Sequence, residues 1–512
     1  MMDIILGGVF TPSPGPAAER LKAREIVFLA VAAAVLLWAL TFGLGMTGLL
    51  GPDEPRYAFI GRQMTESGDF LTPRLWTEPP AAPALEPWFE KPPLLYWLVA
   101  AGFRAGLAEA IAPRVPLAVL SFAFLVLFWH VMRRLEGNGV ATMAALILAT
   151  SAGWFAYSII AVTDLPLAVT LNAGLLFGLW RLSGGPGWVV VAAGACFGLA
   201  LLAKGLVAGV LVLPFLWFAR RSGRDLLVAG GVALVVALPW YLGMYARHGW
   251  PFIEELFLKH HFSRFSSGAL QHVQPFWFYV PVLLGGIFPW VPLLFGLTPR
   301  LWRSTPRRVW AATLLFGFVF FSASTNKLPG YLLPLIPSLA VLLAVGVREA
   351  PETRRALPVA ALLLALAPVA ASVLPQALLV GLRRTQWEAL PWEYLVAVLP
   401  LAAGAWWLEG RGRRVAGVCL VAFGAVLGLI YVQLSAFPVL DQVVSARTLA
   451  KRVEPHRERI CVERLHRAMR YGLNYYLRAP LPQCSGSELP LMLDQAPGGL
   501  PGLAVRNGVA EP

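Results

Sequence analysis

The chain has 512 residues, 58% of them hydrophobic and 14% charged, with a mean hydropathy of +0.66. Soluble domains carry about 45–50% apolar and about 25% charged residues, so a conventional soluble enzyme, a disordered chain and a small disulfide scaffold are excluded. The net charge of +14 would point to nucleic acid in a soluble protein. Here it is spread as short basic clusters between apolar stretches, and no nucleic-acid partner is expected.

Glu19, Arg20, Lys22 and Arg24 precede an apolar run from Glu25 to Leu50. A signal-peptide core is about 7–15 residues long, so this run reads as a first span near 26–49 rather than a cleaved leader. Further apolar segments lie near 115–132, 138–157, 165–181, 187–203, 206–219, 225–243, 276–298, 309–323, 331–347, 356–374, 393–408 and 415–434. Together they predict about thirteen crossings of a ~30 Å hydrocarbon core. Basic clusters at Arg133-Arg134, Arg181, Arg220-Arg221-Arg224, Arg300 to Arg308, Arg348 to Arg355 and Arg411 to Arg414 then fall on the cytoplasmic side with the N-terminus. This parity requires that Pro92 to Ala108 does not cross, and it is expected as a juxtamembrane or re-entrant helix. The expected fold is an all-α polytopic membrane domain over residues 1–434, with a first outer loop at 51–114. Residues 435–512 form an outer tail, read as a small α/β appendage. Cys461 and Cys484 both fall in this tail, where a disulfide can form, with two free thiols as the alternative.

Polar residues gather on the outer side. The first loop supplies Asp53, Glu54, Arg56, Glu90 and Lys91; span ends supply Asp164 and Lys204; later loops supply His260, His261, Arg264, His272 and Lys327. Cations at a membrane boundary suit a phosphate headgroup. A neighbouring carboxylate can act as a general base toward a hydroxyl, and a Glu with a His can hold a divalent metal. No Walker-type glycine loop is present, and no nucleotide cofactor is expected. A transporter or flippase of lipid-linked sugars is the alternative, although transporters commonly show repeated halves and no repeat is evident.

The first loop (Asp53-Glu54-Pro55-Arg56-Tyr57, Ser67-Gly68-Asp69-Phe70, Glu90-Lys91-Pro92-Pro93-Leu94 and Tyr96-Trp97) resembles that of GT-C glycosyltransferases. The likeness is to the bacterial 4-amino-4-deoxy-L-arabinose lipid A transferase and protein O-mannosyltransferase-like group. Lys204-Gly205, Pro239-Trp240-Tyr241, His261 to Phe265, His272 to Phe276 and Lys327 to Pro334 follow in the same order.

The resemblance implies GT-C architecture in a bacterial inner membrane and inverting transfer of a sugar from a polyprenyl phosphate (undecaprenyl phosphate) donor. The acceptor would be an envelope molecule (lipid A, glycan or protein) on the periplasmic side. It implies catalytic roles for Asp53 and Asp164, phosphate contacts from Arg56, Lys91, Lys204, Arg264 and Lys327, and a sugar or lipid lining of Tyr57, Tyr96 and Tyr331. It also implies a divalent metal such as zinc at Glu90 and His261, two ligands short of the usual four. The acidic, proline-rich stretch Glu78 to Pro87 departs from the family pattern and leaves sugar and acceptor open.

Overall fold

The computed structural model describes residues 22–79, 82–263, 273–298, 302–350, 353, 355–387, 389–496 and 498–506, with the side chains of residues 260–263 also outside the description. Among the described residues, seven helical runs are long and apolar enough to cross a membrane, and a bent pair makes a possible eighth. The chain is a polytopic, mainly helical membrane protein.

Helix α1 (Ala23–Thr41) begins where the Lys22 amide donates to Glu25 Oε2 at 2.8 Å. Helix α2 (Asp53–Ser67) carries Asp53 and Glu54 in its first turn, where carboxylates favour the positive end of the helix dipole, and stops at Gly68 with φ +73°. Hairpin strands β1 (Arg74–Trp76) and β2 (Leu85–Pro87) pair antiparallel, with Trp76 opposite Leu85. Of the proline-rich stretch, Leu85–Pro87 is thus the second strand of the hairpin, and Glu78, Pro79 and residues 82–84 lie between the strands. Helix α3 (Leu94–Arg104) is 11 residues long, too short to span, and buries Leu94, Leu95, Tyr96, Val99 and Ala100 against the protein. This matches the expectation for residues 92–108.

Helix α4 (Val115–Glu136) follows, and then α5 (Asn138–Thr150) and α6 (Ala152–Ser158), bent by 64° where one straight span was expected. Thr150 Oγ1 and Ser151 Oγ each donate to a carbonyl four residues back, at 2.6 Å, and such back-bonding bends helices. Helix α7 (Asp164–Leu182) and helix α8 (Trp188–Lys204) then pack together. The predicted span 206–219 splits into two short helices at Val212, just before Pro214.

Helix α9 (Gly223–His248) leaves Leu227, Val235 and Leu242 exposed by 79%, 74% and 61%. Such a row is costly in water and natural against lipid. The predicted span 276–298 is a helix ending at Gly286 and a 3-10 turn at Val291–Gly296, interrupted by Pro289 and Pro292, since proline cannot donate within a helix. Helix α10 (Thr305–Ala323) precedes the run Pro329–Glu349, whose apolar window is 94% buried, against 11% for α1. This run is thus a central span and α1 a peripheral one. Ala356–Val380 and α11 (Trp392–Gly410) lead to α12 (Arg414–Val443), which continues past residue 434.

The tail beyond α12 has its own small core of Val453, Ile460, Val462, Leu473 and Leu493 among others. Strands β3 (Ile460–Arg464), β4 (Leu491–Asp494) and β5 (Gly502–Val505) lie in the order β3-β4-β5, the first pair parallel and the second antiparallel. A parallel pair needs a crossover, and α13 (Arg467–Tyr476) lies within it. Cys461 and Cys484 are disulfide-bonded, with Cα atoms 4.9 Å apart.

Candidate functional site

The site is built on the first turn of α2, and an interior ion pair sets that turn in place. Glu54 and Arg114 are almost fully buried. Arg114 Nε and Nη2 donate to the two Glu54 oxygens at 2.7 Å, while Nη1 and Nη2 reach the carbonyls of Leu44, Thr47 and Gly48 at 2.7–2.8 Å. All five guanidinium donors are thereby used. Glu54 also accepts from the amides of Leu50 at 2.7 Å and Ala161 at 3.0 Å. Glu54 is therefore a structural anchor, not an open carboxylate.

One turn of helix places Asp53 and Arg56 side by side, and they form an ion pair. Arg56 Nη1 reaches Glu90 Oε2 at 3.3 Å, and Lys91 Nζ reaches Glu90 Oε1 at 2.9 Å. The result is a chain of alternating charge. Asp53 is 42% exposed, whereas Arg56, Glu90 and Lys91 are 6–11% exposed, so the acid at its end is the member open to a substrate. The Arg56 guanidinium lies 5.6 Å from the Tyr57 ring centre and 5.3 Å from that of Trp88. Tyr57 and Tyr96 rings are 5.8 Å apart. Burial, reinforced by the charges of Asp53 and Glu90, pushes the Tyr57 phenol well above its ordinary value, which leaves it a neutral hydroxyl.

A second group forms where α7 begins and α8 ends. Lys204 Nζ meets Asp164 Oδ1 at 2.5 Å and lies 4.7 Å from the Tyr331 ring centre. Gly330 closes this group: a Cβ there would come within 2.7 Å of the Asp164 carboxylate and 2.8 Å of the Tyr157 hydroxyl. The Tyr157 hydroxyl and the Asp164 carboxylate thus both face the Gly330 backbone.

Lys327 is bound to its own loop and to the segment that precedes residues 276–298. Its ammonium is buried and donates to the carbonyls of Ser324 and, at 3.1 Å, Gln274. Burial lowers its pKa, and it ties down the loop that delivers Gly330 and Tyr331. Arg264 and the side chain of His261 lie outside the described residues. Among the described residues, no three His, Cys, Asp or Glu gather where a metal could be held. Glu90 is instead bracketed by Arg56 and Lys91. The described donors alone do not make up a metal centre, and no step of the reaction below runs through one.

Sequence reasoning missed Trp88, Tyr157, Gly330 and Tyr471. Trp88 adjoins the Phe89-Glu90-Lys91 element and was open to notice; Tyr471 lies in the tail, yet its ring centre is 5.1 Å from the Arg56 guanidinium.

Residues 90–242 match the family described as dolichyl-phosphate-mannose-protein mannosyltransferase. The undecaprenyl phosphate-alpha-4-amino-4-deoxy-L-arabinose arabinosyl transferase of Erwinia tasmaniensis is 30% identical over 341 residues, covering 62% of this chain and 59% of the relative. That alignment leaves about two-fifths of the relative unmatched. The Pseudomonas paraeruginosa protein of the same name is 30% identical over 426 residues, covering 78% of this chain and 74% of its own. The crystal structure of ArnT from Cupriavidus metallidurans bound to undecaprenyl phosphate superposes with a TM-score of 0.70 at 26% identity, covering 93% of this chain and 87% of that one. The ordered motifs, the helical architecture and the extent of these alignments lead to one conclusion: the chain belongs to the family of the undecaprenyl phosphate-alpha-4-amino-4-deoxy-L-arabinose arabinosyl transferases.

Proposed function

We propose that this chain is an integral membrane glycosyltransferase that moves a sugar from a polyprenyl phosphate to an envelope acceptor, with inversion. The observation that carries this reading is the charge chain of α2 and the following loop: a half-exposed acid, Asp53, backed by buried Arg56, Glu90 and Lys91. The acceptor hydroxyl attacks the anomeric carbon, a new C–O bond forms, and the bond to the phosphate oxygen breaks. Asp53 orients the hydroxyl and receives its proton. Polyprenyl phosphate leaves with the electron pair, and Arg56, Lys91 and Lys204 stabilise its charge, commonly a large share of catalysis. Asp164 holds Lys204 in place for that role.

In this reading the helical segments make thirteen crossings of the bacterial inner membrane. The N-terminus is cytoplasmic, and the charge chain and the tail are periplasmic, as the distribution of Lys and Arg favours. Lipid A, another glycan or a protein can serve as acceptor. If a zinc ion joins Glu90 and His261 at the phosphate, chelation will lower transfer and zinc alone will restore it.

Asp53→Ala and Lys91→Ala are each expected to lower transfer at least about 100-fold, the usual scale for a general base or a charge-stabilising donor, with membrane expression intact. Near-normal turnover in both variants would remove the assignment.

A further inference from the structure

The tail and the proline-rich hairpin meet at Arg56. The Tyr471 hydroxyl on α13 donates to the Glu78 carboxylate at the hairpin tip, across 393 residues of chain. Arg467 Nη2, one turn earlier on α13, reaches the same Glu78 oxygen at 3.3 Å. The Tyr471 ring meanwhile lies over Arg56, 5.1 Å from the guanidinium carbon, with Trp88 at 5.3 Å. Arg56 thus has its edges on Asp53 and Glu90 and aromatic rings against the guanidinium, while its buried Nε has no hydrogen-bond partner.

The helix that carries Tyr471 is itself docked on the first loop. Arg62 on α2 donates to the Tyr475 carbonyl at 2.6 Å and lies 4.4 Å from the Tyr475 ring centre. The Tyr475 hydroxyl donates to the Glu109 carbonyl, and the Tyr476 hydroxyl accepts from the Leu49 amide, both at 2.9 Å.

We propose that Tyr471 is a positioning residue for Arg56, fixed in turn by Glu78, so that the tail completes the donor-phosphate site. One of the two edge partners of Arg56 is Asp53, which must turn toward the acceptor. At that moment Glu90 and the rings hold the guanidinium, and a desolvated cation over an aromatic face is a strong contact. Glu78, the first residue of the stretch that departs from the family pattern, is in this account the strut that sets Tyr471. The inference rests on the functional reading above.

The test uses the full chain in lipid nanodiscs with an undecaprenyl phosphate-linked sugar as donor. Tyr471→Leu should raise the donor KM about 10-fold, the scale of a lost desolvated cation–π contact, with kcat within about 3-fold. Tyr471→Phe keeps the ring but loses the bond to Glu78, so its KM should fall between those of the unaltered protein and Tyr471→Leu. Glu78→Gln, which keeps a weaker acceptor for the Tyr471 hydroxyl, should stay within about 3-fold of the unaltered protein. An unchanged donor KM in Tyr471→Leu would overturn the proposal. If the unaltered protein transfers from no polyprenyl phosphate sugar, the functional reading fails separately. The positioning claim is then decided by hydrogen exchange of Asp53 to Met64: faster in Tyr471→Leu but not in Tyr471→Phe supports it, and no difference in either rejects it.

Discussion

Asp53, Glu54 and Arg56 occupy one helical turn and do three different jobs. Glu54 faces inward and satisfies a buried arginine, Asp53 faces the opening, and Arg56 lies between Asp53 and Glu90. Removing one partner of a buried ion pair strands the other charge, at about 3–5 kcal/mol. Arg114→Leu and Glu54→Ala should therefore lose most folded protein, seen as a collapsed main peak in detergent size-exclusion chromatography. Asp53→Ala should keep that peak. Near-normal melting of both Glu54 and Arg114 variants would show that the anchor is dispensable. Only the family resemblance singled out Asp53 over Glu54 in the sequence, since both are acids at a helix start, and the partner that fixes Glu54 lies 60 residues away.

One device stiffens the tail itself, and another ties the first loop to α9. In the tail, the Cys461–Cys484 bridge closes a 23-residue separation that includes α13. A loop of this size is worth about 3 kcal/mol to the folded state. The Cys461→Ser/Cys484→Ser pair should make the tail protease-sensitive and raise the donor KM in the direction of Tyr471→Leu; an unchanged proteolysis pattern would show that the small core suffices. In the first loop, Asp69 binds Arg247 at 2.7 Å and accepts from the amides of Leu71 and Thr72. Burial works to raise its pKa, but those amides and Arg247 prevail and hold it below the ordinary carboxylate value. A depressed folded pKa contributes stability above the unfolded value and loses it as pH falls through the folded one. Limited proteolysis of residues 67–73 should therefore accelerate as pH drops below the ordinary Asp range, and Asp69→Asn should flatten that dependence. Helices were legible because an apolar run needs only composition and length to declare itself, and Leu94–Arg104 is, at 11 residues, too short to cross. The bend at Ser151 depends on local hydroxyl bonding, and the docking of α13 on α2 depends on contacts hundreds of residues apart; neither leaves a periodic trace.

Across the whole molecule, the polar residues of the site come from the first loop, three span ends and the tail. Asp53, Arg56, Glu90 and Lys91 were legible as a motif, and the fold brings them into one charge chain. Asp164, Lys204 and Tyr331 likewise converge, whereas Lys327 serves its own loop. The central claim is that this cluster cleaves a sugar from polyprenyl phosphate. The most direct measurement incubates purified protein in nanodiscs with a defined undecaprenyl phosphate-linked sugar and an envelope extract, and follows both lipids and products by mass spectrometry. Free undecaprenyl phosphate should appear in step with a glycosylated acceptor of inverted anomeric configuration, and Asp53→Ala should abolish both. Intact donor throughout, across the range of linked sugars, would contradict it.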